Sequence, residues 1–428
     1  MKTSIYNNFI PHKDKILGYN VLSNKFILLE PELYQIFESY SQKNKIDELI
    51  MIHPEFYNFM ISEGFFVKNQ ENEFEKVKAL QQKIDNNDEM FDLFINPTMN
   101  CNFKCWYCYE THIKNSKMSS EMIGKVMKLT NNILNTQPNL KLLYLSWFGG
   151  EPLLQYKDVV LPLLKKLNAF CVDRKVKFNS GFTTNGLLIN QKMIDDFKSY
   201  NVSELQITLD GIKPLHDKIR YISKSRGSYD EIVNNIILLA KNNIKTIVRI
   251  NCTDKTLEEL DSIIGTFSVL ATDIKKNLSF TLHRVWQIED SLDVHISQFI
   301  KKNNGKDFLI NGTSLDSFRD SCYADKKNQA IINYNGDVFK CTARKFSLEN
   351  REGYLNSDGN IIWNEKYYQR MNGKLKNPPC LTCRILPICG GGCSQMVLEK
   401  KKNYCIYNFD EKKKDQLIID IFSTRVLD

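Results

Sequence analysis

The chain has 428 residues, 42% hydrophobic and 25% charged, with a formal charge of +8 from 58 basic and 50 acidic side chains. That length suits two to three domains around a sizeable core, and the composition is globular rather than disordered or fibrous. The lysine runs at 400–402 and 412–414 lack interleaved aromatics and read as solvated helix faces, no segment reaches membrane-spanning length, and Met1 to Asp14 has no apolar signal core. No nucleic-acid or membrane partner is therefore expected. Twelve cysteines without a secretory signal suggest a cytoplasmic, reducing setting in which clustered thiols bind metal rather than form disulfides.

In chain order, Tyr19, Val21, Phe26 and Leu28 alternate about Ser23-Asn24 and predict a hairpin. Leu33, Ile36, Phe37 and Tyr40 follow Pro31 at helical spacing, and a second helix starts near Pro54, with a short strand around Phe65 to Val67. Polar residues 70–90 read as a linker helix. From 90 to 315, strand-like runs near 92–97, 142–147, 176–183, 204–209, 245–250 and 278–285 alternate with amphipathic helices such as Met122 to Leu134 and Tyr229 to Ala240. Six such units imply a parallel sheet with right-handed crossovers.

Directly after the apolar run Leu93 to Ile95 stand Cys101, Cys105 and Cys108, spaced Cys-x3-Cys-x2-Cys. Three thiolates can hold three corners of a [4Fe–4S] cubane and leave one iron for a small molecule. Structural zinc, the alternative, takes four ligands, and no nearby fourth Cys or His completes such a site, although His112 is within reach. Gly149-Gly150-Glu151-Pro152 ends the second strand-like run; paired glycines let backbone approach a ligand that a Cβ would block. The fourth run ends in Gln206-Ile207-Thr208-Leu209-Asp210-Gly211, and Arg220 follows in His216-Asp217-Lys218-Ile219-Arg220. Thr183, Thr184 and Asn185 end the third run, and Asn251 the fifth. The C-terminal part holds Cys322, Cys341, then Cys380-x2-Cys383-x5-Cys389-x3-Cys393 and Cys405, with a hairpin turn at Asn335-Gly336-Asp337. A zinc ribbon is the alternative there, but seven cysteines exceed one zinc site. Cys171 and Cys252 fit neither set and read as buried small hydrophobes.

These motifs resemble the radical S-adenosylmethionine (SAM) enzymes and, cysteine for cysteine, their C-terminal SPASM domain. The resemblance implies an α/β fold: a partial (β/α)6 barrel at 90–315, a winged-helix-like leader-recognition domain at 1–85, and a SPASM auxiliary-cluster domain at 316–428. A simple capping role for 1–85 is the alternative. It also implies S-adenosyl-L-methionine and three [4Fe–4S] clusters as cofactors. The SAM cluster would sit on Cys101, Cys105 and Cys108. Cys380, Cys383, Cys389 and Cys405 would hold an outer auxiliary cluster, and Cys322, Cys341 and Cys393 an inner one. Tyr107, Gly149, Gly150, Glu151, Pro152, Thr183, Asn185, Thr208, Asp210, Arg220 and Asn251 would line the SAM pocket, with Arg220 gripping the methionine carboxylate. The implied activity is a 5′-deoxyadenosyl radical that oxidatively modifies a ribosomally made precursor peptide, forming a thioether or carbon–carbon link, with a flavodoxin or ferredoxin as reductant. The runner-up is an anaerobic sulfatase maturase. Those enzymes place an aspartate base after the cysteine matching Cys341, where this chain has Thr342. A non-catalytic iron–sulfur or zinc scaffold that binds peptides is the reading from another class. With only three cysteines, the inner cluster is expected to have an open iron, or a ligand such as Asp320 or Asp325.

Overall fold

The computed structural model describes residues 1–288, 292–312, 321–399 and 403–426. They form two compact units: Met1–Asn87 with the described part of 315–327 and Tyr368–Asp428, and Asp88–Ser314 with Asn328–Tyr367, the latter within the same limits.

The larger unit is built on parallel strands Met90–Asn96, Leu142–Trp147, Lys177–Thr184, Val202–Leu209, Lys245–Cys252 and Leu278–Arg284, adjacent in that order. The six expected strands are all present. Leu309–Asn311 extends the sheet in parallel beyond the sixth strand. Helices between strands begin at side-chain caps: Ser119 accepts from Met122 N and Asn190 from Met193 N. Strand alternation divides the residues sharply. Leu205, Ile207, Leu209, Val248, Ile250, Phe280 and Leu282 are fully buried on the core face. The opposite face carries Gln206, Thr208, Asp210, Arg249, Asn251, Thr281 and His283.

The stretch expected as one domain from 316 is shared between the two units. Gln329–Asn333 pairs in parallel with Met90–Asn96, and Asp337–Phe339, Gly353–Leu355 and Ile361–Trp363 continue as an antiparallel meander. Backbone pairing thus draws 328–367 onto the parallel sheet.

In the smaller unit, Asn7–His12, Lys15–Asn20 and Lys25–Leu29 form an antiparallel meander, with the expected hairpin pairing Asn20 with Lys25. Helices Pro31–Gln42 and Pro54–Ser62 start at proline, whose missing N–H costs nothing there. One core joins Ile27 and Leu29 to Phe37, Phe56, Met60 and Phe65. A second joins Tyr6, Leu17, Tyr19 and Val21 to Ile385, Leu386, Ile388, Ile418, Ile421 and Phe422. The N-terminal region therefore shares its core with the C-terminal cysteine-rich segment. Among the described residues no helix is long and apolar enough to cross a membrane.

Candidate functional site

The loop after the first parallel strand is pinned at both ends. Thr98 Oγ1 donates to Ser116 O at 2.6 Å, Met99 N to Ser116 Oγ at 2.9 Å, and Met118 N to Pro97 O at 2.9 Å. Within it Phe103 is buried in the main core and Cys108 N donates to Cys105 O at 3.1 Å, so the backbone between the thiols is folded back on itself. Cys101, Cys105 and Cys108 line one cavity, open to solvent, at the C-terminal ends of the parallel strands. Burial pushes the Cys101 thiol up to about 12 and Cys108 up to about 11. Thiolates here therefore need a cation to compensate them. Among the described residues no three His, Cys, Asp or Glu groups are arranged to hold a single metal ion.

The Gly149-Gly150 turn lies against this loop. Gly150 N donates to Thr98 O at 3.1 Å and Glu151 N to Asn100 O at 2.8 Å. A Cβ on Gly149 (φ +99) would stand 2.6 Å from Thr98 O, and one on Gly150 2.3 Å from Asn100 O. Only glycine permits that approach. Glu151 is buried and does structural work: its carboxylate accepts from Leu153 N at 3.0 Å, Thr184 Oγ1 at 2.8 Å and Asn185 N at 2.8 Å. Burial raises its carboxyl while these bonds pull it down. Asn185 Nδ2 donates to Asn102 Oδ1 at 2.7 Å, tying the third strand's end to the cysteine loop. Pro152 is buried below the turn.

Asp210, 1% exposed, is a hub. It accepts from Arg220 Nε at 2.6 Å, from Tyr107 Oη at 2.7 Å and from Asn251 Nδ2 at 3.3 Å, while Arg220 Nη2 donates to Tyr107 Oη at 2.7 Å. The expected pocket arginine is thus a buried ion pair as well as a cavity wall. His216 locks the segment. Its Nδ1 accepts from Asp210 N at 3.3 Å, so Nε2–H donates to Ser228 Oγ at 3.1 Å, and Ser228 Oγ donates to Arg220 O at 2.9 Å.

Thr183, Thr208 and Asn251 line the same cavity, as do residues that sequence reasoning missed. Arg249, two residues before Asn251 and on the same face, donates Nε to Asn251 Oδ1 at 3.0 Å. Tyr109 stacks on Trp286 at 5.3 Å and 11°, and Gln287 Nε2 reaches back to Tyr107 O at 3.0 Å. Glu110 has a buried Oε2 with no hydrogen-bond partner, and burial pushes its carboxyl up to about 8. The period-2 pattern of strand five puts Arg249 on the face of Asn251 without marking it as a cavity residue; nothing local signals Trp286.

In the smaller unit, Cys380, Cys383, Cys389 and Cys405 come together. Burial, with the charges of Cys380, Cys383 and Cys405, pushes Cys389 up to about 12. Asn377 Nδ2 bonds Cys380 Sγ at 3.1 Å and Tyr404 O at 2.7 Å. Gly390, Gly391 and Gly392, at φ +62, +86 and +82, turn the chain from Cys389 to Cys393 through a conformation side chains resist. Cys322 and Cys393 belong to this unit; Cys341, whose Sγ accepts from Ala343 N at 3.4 Å, belongs to the other. Cys171 and Cys252 are buried in the main core, as expected. Asp320 lies outside the described residues.

A cysteine triad and a glycine turn stand at the C-terminal ends of an ordered parallel sheet, and the stretch that holds them is similar to known radical SAM domains. Residues 95–266 match the radical SAM superfamily. Over 429 aligned residues the chain is 22% identical to the radical SAM cyclopropyl synthase TigE of Paramaledivibacter caminithermalis, spanning 92% of this chain and 84% of that one. It is 29% identical over 191 residues to the cysteine-type anaerobic sulfatase-maturating enzyme of Clostridium novyi, spanning 41% and 47%. Streptococcus suis SuiB bound to precursor peptide SuiA superposes with a TM-score of 0.52 at 16% identity, over 94% of this chain and 98% of that one. Native anSMEcpe with bound AdoMet gives 0.56 at 18% identity, over 78% and 100%. At these identities the structural likeness speaks for the fold.

Proposed function

We propose that the protein is a radical SAM peptide maturase that oxidatively modifies a ribosomally made precursor peptide. The observation that carries the reading is convergence: the cysteine triad, the glycine turn and the polar face of strands three to five line one cavity. A [4Fe–4S] cluster on Cys101, Cys105 and Cys108, with SAM, supplies when bound a carbon radical able to take hydrogen from an unactivated carbon. The chain's own residues bind, orient and exclude water. Gly149 and Gly150 let that turn close on the cysteine loop beside the cavity, Glu151 and Asn185 hold it there, and Asp210 fixes Tyr107, Arg220 and Asn251 as one wall. Thr183 and Thr208 offer hydroxyls on the same face.

A peptide substrate draws support from relatives named for peptide chemistry, including SuiB with its precursor and the sulfatase-maturating enzyme. The N-terminal meander and helices would serve as a leader-recognition element. Cys380, Cys383, Cys389 and Cys405 would hold an outer auxiliary cluster; an inner one on Cys322, Cys341 and Cys393 rests on the sequence pattern alone. A flavodoxin or ferredoxin would supply electrons in the cytoplasm. Sulfatase maturation is the second reading. It is disfavoured by Thr342, since a hydroxyl is a poor general base at neutral pH.

Co-expression with a short open reading frame beside the gene, followed by mass spectrometry, tests the reading. The expected product is a precursor lighter by a pair of hydrogens per link. Cys101→Ala, Cys105→Ala and Cys108→Ala together should abolish 5′-deoxyadenosine formation. Continued formation by the triple variant would overturn the assignment.

A further inference from the structure

The cysteine count leaves the expected inner cluster one ligand short, and the smaller unit holds a carboxylate in an unusual state. Asp325 closes the turn Tyr323–Asp325, its N donating to Cys322 O at 2.9 Å. The residue is 5% exposed. Its Oδ2 lies 3.2 Å from Lys374 Nζ. Lys374 is held in turn by Asp85 at 3.2 Å, and Asp85 Oδ1 accepts from Ser321 Oγ at 2.6 Å. The other oxygen, Oδ1, is buried without any hydrogen-bond partner. A carboxylate only accepts, so an orphaned buried oxygen costs free energy unless a donor or a cation meets it. An ordinary structural ion pair would use that oxygen or leave it in water.

Lys374 brings this carboxylate to the turn between the cysteines: a Cβ at Gly390 would lie 3.7 Å from Lys374 Cε. Tyr404 donates to Gly391 O at 3.1 Å in the same turn, which runs from Cys389 to Cys393. One oxygen oriented by a fixed cation and the other left bare is how a monodentate metal ligand is commonly supported from behind. We propose that Asp325, through Oδ1, is the non-cysteine iron ligand of the inner auxiliary cluster, acting with Cys322 and Cys393. The inference rests on reading those cysteines as cluster ligands. The iron it occupies is then closed in the resting protein, and a substrate thiol can reach it only by displacing a carboxylate.

The test uses full-length protein carrying Cys101→Ala, Cys105→Ala and Cys108→Ala, so that the open iron of the SAM cluster does not contribute. Two auxiliary clusters predict about eight irons per chain. About four, unchanged by Cys322→Ala, would overturn the underlying reading and the inference with it. With about eight present, 13C-labelled cyanide is added to the reduced protein and its coupling to the cluster is read by electron–nuclear double resonance. No coupling is expected with Asp325 intact, clear coupling in Asp325→Ala, and none in Asp325→Cys, which restores a fourth ligand. Equal coupling in the intact protein and Asp325→Ala would overturn the proposal while leaving the cluster in place. So would inner iron that is lost in Asp325→Ala and not recovered in Asp325→Cys.

Discussion

Single residues set the site's geometry through clashes and charges that leave little slack. A methyl group at position 150 would meet Asn100 O at 2.3 Å, and backbone oxygen cannot swing away as a side chain can. Gly150→Ala should push the cysteine loop out of place and lower 5′-deoxyadenosine formation at least roughly tenfold, the effect of about 1.4 kcal/mol in the barrier. Iron bound by the smaller unit should be unchanged, which total iron analysis checks. Asp210 compensates Arg220, itself 8% exposed. Asp210→Asn strands that guanidinium and should cost about 3–5 kcal/mol in urea unfolding. His216 makes the same wall sensitive to acid. Burial holds its imidazole down to about 4, below the ordinary 6.5. Its contribution is complete above pH 6.5 and is lost as pH falls toward 4, amounting to about 2 kcal/mol at pH 5. Urea midpoints at pH 7 and pH 5 should differ by that amount, and His216→Asn should flatten the difference.

At the scale of elements, the parallel strands work by alternation. Ile95, Trp147, Phe182 and Leu205 lie opposite one another across four strands and all are buried. Trp147 also donates Nε1–H to Ser180 Oγ at 3.0 Å. Trp147→Ala should cost about 3–5 kcal/mol, measured by urea unfolding, because the row cannot collapse into the gap. The same alternation made the strands legible in the sequence, since hydrophobic runs bounded by turns mark buried parallel strands. It hid Arg249. A lone arginine among Val248, Ile250 and Cys252 reads as a solvent-facing position, and only the fold turns that face into a cavity wall.

At the scale of the molecule, the N-terminal region is not a detachable module. Tyr6, Leu17 and Tyr19 share a core with Ile385, Leu386 and Phe422, close to Cys380, Cys383 and Cys389. Deleting residues 1–85 should therefore strip about four irons from the smaller unit, rather than leave it loaded, which iron analysis of the truncated protein would reveal. Recognition by that region is better tested with exposed substitutions, such as Met51→Asp, 86% exposed, and precursor affinity as the readout.

The sequence by itself determined the cysteine spacings, the glycine turn, and the six strand-like runs between 90 and 285, because these are local: ligand spacing, turn chemistry and hydrophobic period act within a few residues. Only the tertiary structure decided that Arg220 is locked to Tyr107, that 328–367 joins the parallel sheet, and that the first and last segments share a core. Those outcomes depend on pairings across a hundred residues or more, where burial and backbone hydrogen bonding choose the partner and local pattern is silent.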